Sequence, residues 1–221
     1  MILIDALGLL AHLIGLNAND LIAYAAEDQQ GGRWHGFNGW AIDVDEGRLL
    51  YALVRALKPV RVLEIGTYEG ASACHLLAAL EANDSGELAS YDTWDRAGNS
   101  VPPELHKRWQ FNTKDAVEAA LPYADLVFED ADHSFDPATA TYRKLRALQP
   151  RIVIVHDHAM TPAHGDFFVR QAFETVFPEG IGIVLEGCER GLGVWVNAEW
   201  QAPVEVKPEA PRKPAPAKGR R

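Results

Sequence analysis

The sequence predicts an α/β fold: a seven-stranded mixed sheet with helices on both faces and an antiparallel final strand. Three features point there. Between Asp45 and Val196 the hydrophobic pattern switches repeatedly between strand-like alternation and helical spacing, as alternating strands and helices around a parallel sheet require. The run RIVIV at 151–155 is almost wholly apolar, which suits a strand covered on both faces. The last two strand-like runs are joined only by EGCERG, too short for a crossover helix, so they pair antiparallel.

The elements follow in order. A helix is expected over 45–57, where Leu49, Leu50, Leu53, Val54 and Leu57 share a face and Pro59 ends the run. Residues 60–65 form a strand and 71–80 a helix. A short strand over 87–91 ends at Asp92, another covers 109–111, and a short helix is expected over 116–121. The segment ADLVF, 124–128, is a strand leading into Glu129 and Asp130. Pro137 suits the first turn of a helix running to Leu148. After the 151–155 strand come a helix over 166–177 and strands over 181–185 and 192–196. The chain shows no internal repeat.

Composition narrows the function. A chain of 221 residues holds one substantial α/β domain. The net charge of −10 argues against general affinity for nucleic acid. Two cysteines, Cys74 and Cys188, make no disulfide framework and suit a reducing cytoplasm. The opening MILIDALGLLAHLIGL has no Lys or Arg before Arg33; Asp5 and His12 interrupt it, and Asn17, Asn19 and Asp20 end it. It reads as a buried or partner-facing helix, a homodimer contact or a cover for the site, rather than a membrane span. The stretch GGRWHGFNGW contains Trp34, His35, Phe37 and Trp40, candidates for a lid that touches substrate. The end of the chain, with five prolines and six basic residues against two acids after Ala202, reads as a mobile tail. The expected division is a helical and lid segment at 1–40, a core domain at 41–200 and a tail at 201–221.

The strand-to-helix turn VLEIGTYEGAS suggests the ligand. Gly66 and Gly70 let backbone N–H groups approach a bound molecule. Their G-x-x-x-G spacing is not the G-x-G-x-x-G of diphosphate binding, and Glu64 at the strand end favours a cation. Asp92 ends the next strand, where an acid accepts from ribose hydroxyls. A positively charged nucleoside fits these demands, which points to S-adenosylmethionine.

VLEIGTYEGAS resembles the first motif of class I S-adenosylmethionine-dependent methyltransferases, a Rossmann-like group. YADLVFEDADHS and RIVIVHDH resemble the corresponding strand ends of small-molecule O-methyltransferases of the catechol, caffeoyl-coenzyme A and antibiotic-sugar types. The resemblance runs from about Gly39 to Val196 and implies an antiparallel last strand. It implies that Glu64, Gly66, Tyr68, Gly70 and Ser72 lie along the methionine part of the cofactor. Asp92 would hold the ribose, Asp115 would contact the adenine, and Asp130 would stand beside the cofactor.

A second cluster joins FEDADH at 128–133 with VHDH at 155–158, at the ends of strands expected to be neighbours. Asp130, Asp157 and His158 can bind one divalent cation there, Mg²⁺ for its oxygen ligands or Mn²⁺, Fe²⁺ or Zn²⁺ for its histidine. The resembling enzymes carry Asp-Asn where this chain has Asp157-His158. His133 stands where they carry a lysine, and histidine suits a proton acceptor; Asp136 or His133 can equally cap the following helix. His156 makes a structural hydrogen bond, or replaces His158 if the register differs. His164 follows the fifth strand and can line a substrate pocket. The expected activity is methyl transfer to a hydroxyl of a small molecule with help from a metal. The rivals are different, hydroxylase-like chemistry in the same fold and a non-enzymatic binding module.

Overall fold

The computed structural model describes residues 1–28, 42–165 and 167–200. The lid candidates Trp34, His35, Phe37 and Trp40 and the 201–221 tail lie outside them.

Two helices open the chain. Leu3–Ile14 (α1) buries Ala6, Leu7, Leu10, Ala11 and Ile14, leaves Ile4 and Leu13 exposed, and ends at Gly15 in the left-handed conformation. Ala18–Glu27 (α2), which hydrophobic spacing did not reveal, starts where the Asn17 side chain accepts from the Asn19 N–H. No described helix is long and apolar enough to cross a membrane.

Val44–Leu57 (α3) leads into Arg61–Ile65 (β1), Ala71–Ala82 (α4) and Glu87–Asp92 (β2). A 3₁₀ turn precedes Trp109–Thr113 (β3), and Leu126–Glu129 (β4), Phe135–Ala147 (α5) and Ile152–Val155 (β5) follow. Val169–Val176 (α6), Ile181–Ile183 (β6) and Leu192–Val196 (β7) complete the fold. The seven strands lie in the order β3-β2-β1-β4-β5-β7-β6. β1 to β5 are parallel where they pair, while β7 runs antiparallel to both β5 and β6.

Strand alternation builds two cores. Val62, Leu126, Phe128, Ile152 and Ile154 point to one face, against leucines of α1, α3 and α4. Leu63, Ile65, Val127, Val153 and Val155 point to the other, against Tyr142, Leu145 and Phe173 of α5 and α6. The expected helix over 116–121 is absent: 116–119 form a turn. Lys144 of α5 explains it, donating from Nζ to the carbonyls of Ala116 (2.7 Å), Val117 (2.8 Å) and Ala119. Those carbonyls are occupied by an ammonium group instead of a helical ladder.

After β1 the chain winds outward to β2 and β3, then returns to the other side of β1 for β4. Strand order reverses there, and a crevice opens beyond the carboxyl ends of β1 and β4.

Candidate active site

The crevice is a cleft of about 820 Å³, within the range of small-molecule sites. Gly66, Tyr68, Asp92, Asp115, Asp130, His133 and Asp157 line it, together with Trp94, Lys114 and Arg190. Glu64, Gly70, Ser72 and His158 do not.

Gly66 has φ +81°, and a Cβ there would lie 2.1 Å from the Asp130 carbonyl oxygen. The bare backbone lets the ends of β1 and β4 meet. Gly70, at φ +101°, starts α4 with its would-be Cβ 2.5 Å from Val101. Between them Tyr68 also takes a left-handed conformation, at φ +45°, and stacks on Trp94 with ring centres 5.7 Å apart.

Glu64 lies beneath this loop, fully buried, and does not line the cleft. Its carboxylate accepts from the hydroxyls of Thr67 (3.0 Å), Ser72 (2.7 Å) and Ser90 (2.6 Å), and Ser90 accepts in turn from the Trp109 indole. Three hydroxyl donors on the inner face turn the side chain inward. Burial raises its pKa to about 7 against the opposing effect of those hydroxyls. Glu64 and Ser72 thus hold the loop's shape from below.

Asp92 accepts at one oxygen from the N–H groups of Thr67 (2.8 Å) and Tyr68 (3.0 Å) and at the other from Trp94 (2.8 Å). A carboxylate offers about four acceptor sites, so about one remains for a ligand hydroxyl. Asp115 accepts from the Val117 N–H at 2.7 Å, closing the turn on the far wall.

Asp130 Oδ1 and Asp157 Oδ2 at the cleft floor and Nδ1 of the buried His156, which does not itself line the cleft, lie within 4.8 Å of one another. Asp130 Oδ1 is 3.1 Å from His156 Nδ1, and His133 Nε2 is 2.8 Å from Asp157 Oδ2. These approaches lack hydrogen-bond angles: His156 Nδ1, Asp157 Oδ2 and His133 Nε2 are buried without a hydrogen-bond partner. Two carboxylates and an imidazole this close together are a donor set that fits a divalent cation. Burial opposes the charge on Asp130, but His156 and His133 outweigh it and hold the carboxyl well below the usual range. Burial likewise opposes charge on His133, yet Asp130 and Asp157 raise its pKa to about 10.

His158 does not join this set. Asp157 adopts φ +57°, which breaks the strand alternation and turns the next side chain away. The His158 ring packs edge-on against Phe173 at 5.2 Å and over Gly182 and Gly193, and burial lowers its pKa to about 4. His156 takes its place, on the face that Ile152 and Ile154 share. His164 closes a turn with Thr161 and stays outside the cleft. Arg190, in the link before β7, donates to Asp157 Oδ1 at 3.0 Å. Its one signal in the sequence was the only cation in EGCERG.

Residues 63–158 match the model of a family described as a methyltransferase domain. Over those residues the chain resembles a methyltransferase domain. The match runs from β1 through Asp157 and His158 and so contains both the glycine loop and the acidic floor. A search of curated proteins by sequence finds no match. Among solved structures, the domain resembles the O-methyltransferase TomG of Streptomyces achromogenes, involved in tomaymycin synthesis and solved with S-adenosylmethionine. The two are 20% identical over 79% of this chain and 89% of that one, with a TM-score of 0.53. An O-methyltransferase of Bacillus cereus solved with S-adenosylhomocysteine is 16% identical over 79% and 90%, at 0.57. The methyltransferase PaMTH1 of Podospora anserina, solved with the same product, is 16% identical over 80% and 93%, at 0.56. These likenesses establish a shared fold.

Proposed function

We propose that this chain transfers a methyl group from S-adenosylmethionine to a hydroxyl of a small molecule, with a divalent cation held by Asp130, His156 and Asp157. The observation that carries the reading is the convergence of those three ligand atoms where Asp130 and Asp157 form the floor of the cleft, with His156 buried beside them and the Gly66 loop as the upper wall.

The residues divide the work. The loop backbone at Gly66, the unused acceptor capacity of Asp92 and the aromatic pair Tyr68–Trp94 fit a nucleoside with a short charged arm. Asp115 and its neighbours close the opposite wall. His133 stands at the floor beside Asp157, where it can take a proton from an acceptor hydroxyl. With both carboxylates bare, His133 is held protonated at pH 7 and is a poor base. A bound divalent cation supplies positive charge that lowers a hydroxyl pKa and cancels the carboxylate field on His133. The TomG and Bacillus cereus structures, named as O-methyltransferases, support oxygen as the acceptor atom.

The test is calorimetric titration with S-adenosylmethionine and with NAD, followed by incubation with hydroxylated small molecules with and without chelator. The expected results are binding of S-adenosylmethionine, a product heavier by one methyl group, and loss of turnover with chelator. Binding of NAD alone would overturn the cofactor assignment, and a product heavier by one oxygen would overturn the reaction.

A further inference from the structure

We propose that Glu46, at the start of α3, is a positioning residue that fixes His156 as a nitrogen donor through Nδ1 and gives the metal site a preference for Mn²⁺ over Mg²⁺. The inference rests on the metal site proposed above and adds what sets its ligand geometry. Glu46 and His156 are separated by 110 residues in sequence, yet Glu46 Oε2 lies 3.1 Å from His156 Nε2. Both side chains are buried almost completely, at 1% and 0% exposed. The same Glu46 oxygen accepts the Asp43 N–H at 3.2 Å, so the carboxylate is tethered to the helix start.

An ionised Glu46 accepts only, so the imidazole must donate from Nε2. That leaves the lone pair at Nδ1, 3.1 Å from Asp130 Oδ1 and 3.7 Å from Asp157 Oδ2. A carboxylate behind a ligating histidine fixes tautomer and ring orientation, and losing it costs about 10- to 100-fold in metal affinity. One imidazole beside two carboxylates also favours transition ions over Mg²⁺, which selects oxygen.

The test measures Mn²⁺ and Mg²⁺ binding by calorimetry, with Mn²⁺ also followed by electron paramagnetic resonance, in the full chain without substrate. Glu46→Met fills a similar volume without an acceptor, and Glu46→Gln keeps an acceptor without the charge. Asp130→Ala controls for the site itself. Wild type is expected to bind Mn²⁺ more tightly than Mg²⁺. Glu46→Met is expected to weaken Mn²⁺ about 10- to 100-fold and narrow the preference, while Glu46→Gln recovers most of both. A purely structural role predicts no such recovery at equal melting temperature. Folded Glu46→Met with wild-type Mn²⁺ affinity would overturn the inference while leaving the site intact. Equal Mn²⁺ binding by wild type and Asp130→Ala would instead overturn the site. Should Glu46→Met fail to fold, nitrogen-15 resonances of His156 in the Mg²⁺-loaded wild type decide: a proton on Nε2 supports the inference and a proton on Nδ1 overturns it.

Discussion

Asp130 faces three ways at once. Its backbone carbonyl closes on Gly66, its N–H donates to Ile65, and its carboxylate stands between His156 and His133. Asp130→Asn removes one of the two charges that hold His133 protonated. The pKa of His133 in metal-free protein, followed by its ring proton shifts, is therefore expected to fall below the wild-type value of about 10. Methyl transfer is expected to be lost in the same variant. His133→Ala removes the proton acceptor and is expected to lower kcat by roughly 10²- to 10⁴-fold with little change in cofactor binding. An unchanged kcat would remove His133 from the chemistry; it does not cap α5, whose N-cap is Ser134. The acids at strand ends were legible in sequence, because parallel strands must deliver their last residues to one edge. His156 was not separable from His158, since the left-handed turn at Asp157 decides which ring reaches the Asp130 and Asp157 carboxylates. Glu46 and Arg190 were hidden for another reason: they arrive from elements remote in sequence, and only packing brings them to the floor.

Elements were more legible than side chains. All seven strands stand where alternation and apolar runs put them, and the short EGCERG link already required an antiparallel partner. The missing helix over 116–121 has a tertiary cause, the Lys144 ammonium, which no local pattern encodes. Lys144→Met leaves three carbonyls without that donor, each bond to a charged group being worth about 1.5–3 kcal/mol. The turn carries Asp115 to the cleft wall, so S-adenosylmethionine is expected to bind roughly tenfold more weakly, a cost of about 1.4 kcal/mol measurable by calorimetry. Wild-type affinity would detach that wall from cofactor binding. The glycine loop gives a sharper contrast. Gly66→Ala places a methyl group against the Asp130 carbonyl at a left-handed backbone and is expected to destabilise by roughly 1–3 kcal/mol. Gly8, inside α1, has nothing within 4 Å of its would-be Cβ, so Gly8→Ala is expected to stabilise by about 0.4–1 kcal/mol. Thermal melting of the two variants checks both signs.

At the scale of the whole molecule, the sheet separates two apolar cores, and Glu64 and Glu129 lie buried near the strand ends between them. Burial raises Glu64 to about 7 and Glu129 to about 8. The sign for Glu64 follows from proton binding. Its unfolded pKa is near 4.5, so between pH 4.5 and 7 the folded chain holds a proton that the unfolded chain has released. Stability is therefore greatest below pH 4.5 as far as this group is concerned, and it is lost as pH rises through about 7. The shift corresponds to roughly 3 kcal/mol. Glu129 acts in the same direction over a window reaching about 8. Glu64→Gln keeps a side chain that bonds the hydroxyls of Thr67, Ser72 and Ser90, which rotate to donate or accept, but it has no proton to lose. Urea unfolding of wild type and Glu64→Gln at pH 5 and pH 8 isolates the group, because every other titration is common to both chains. The variant is expected to gain on wild type by up to roughly 3 kcal/mol at pH 8 relative to pH 5. Parallel losses in the two proteins would mean that Glu64 is ionised in the folded state, and that the loop above it rests on a buried charge.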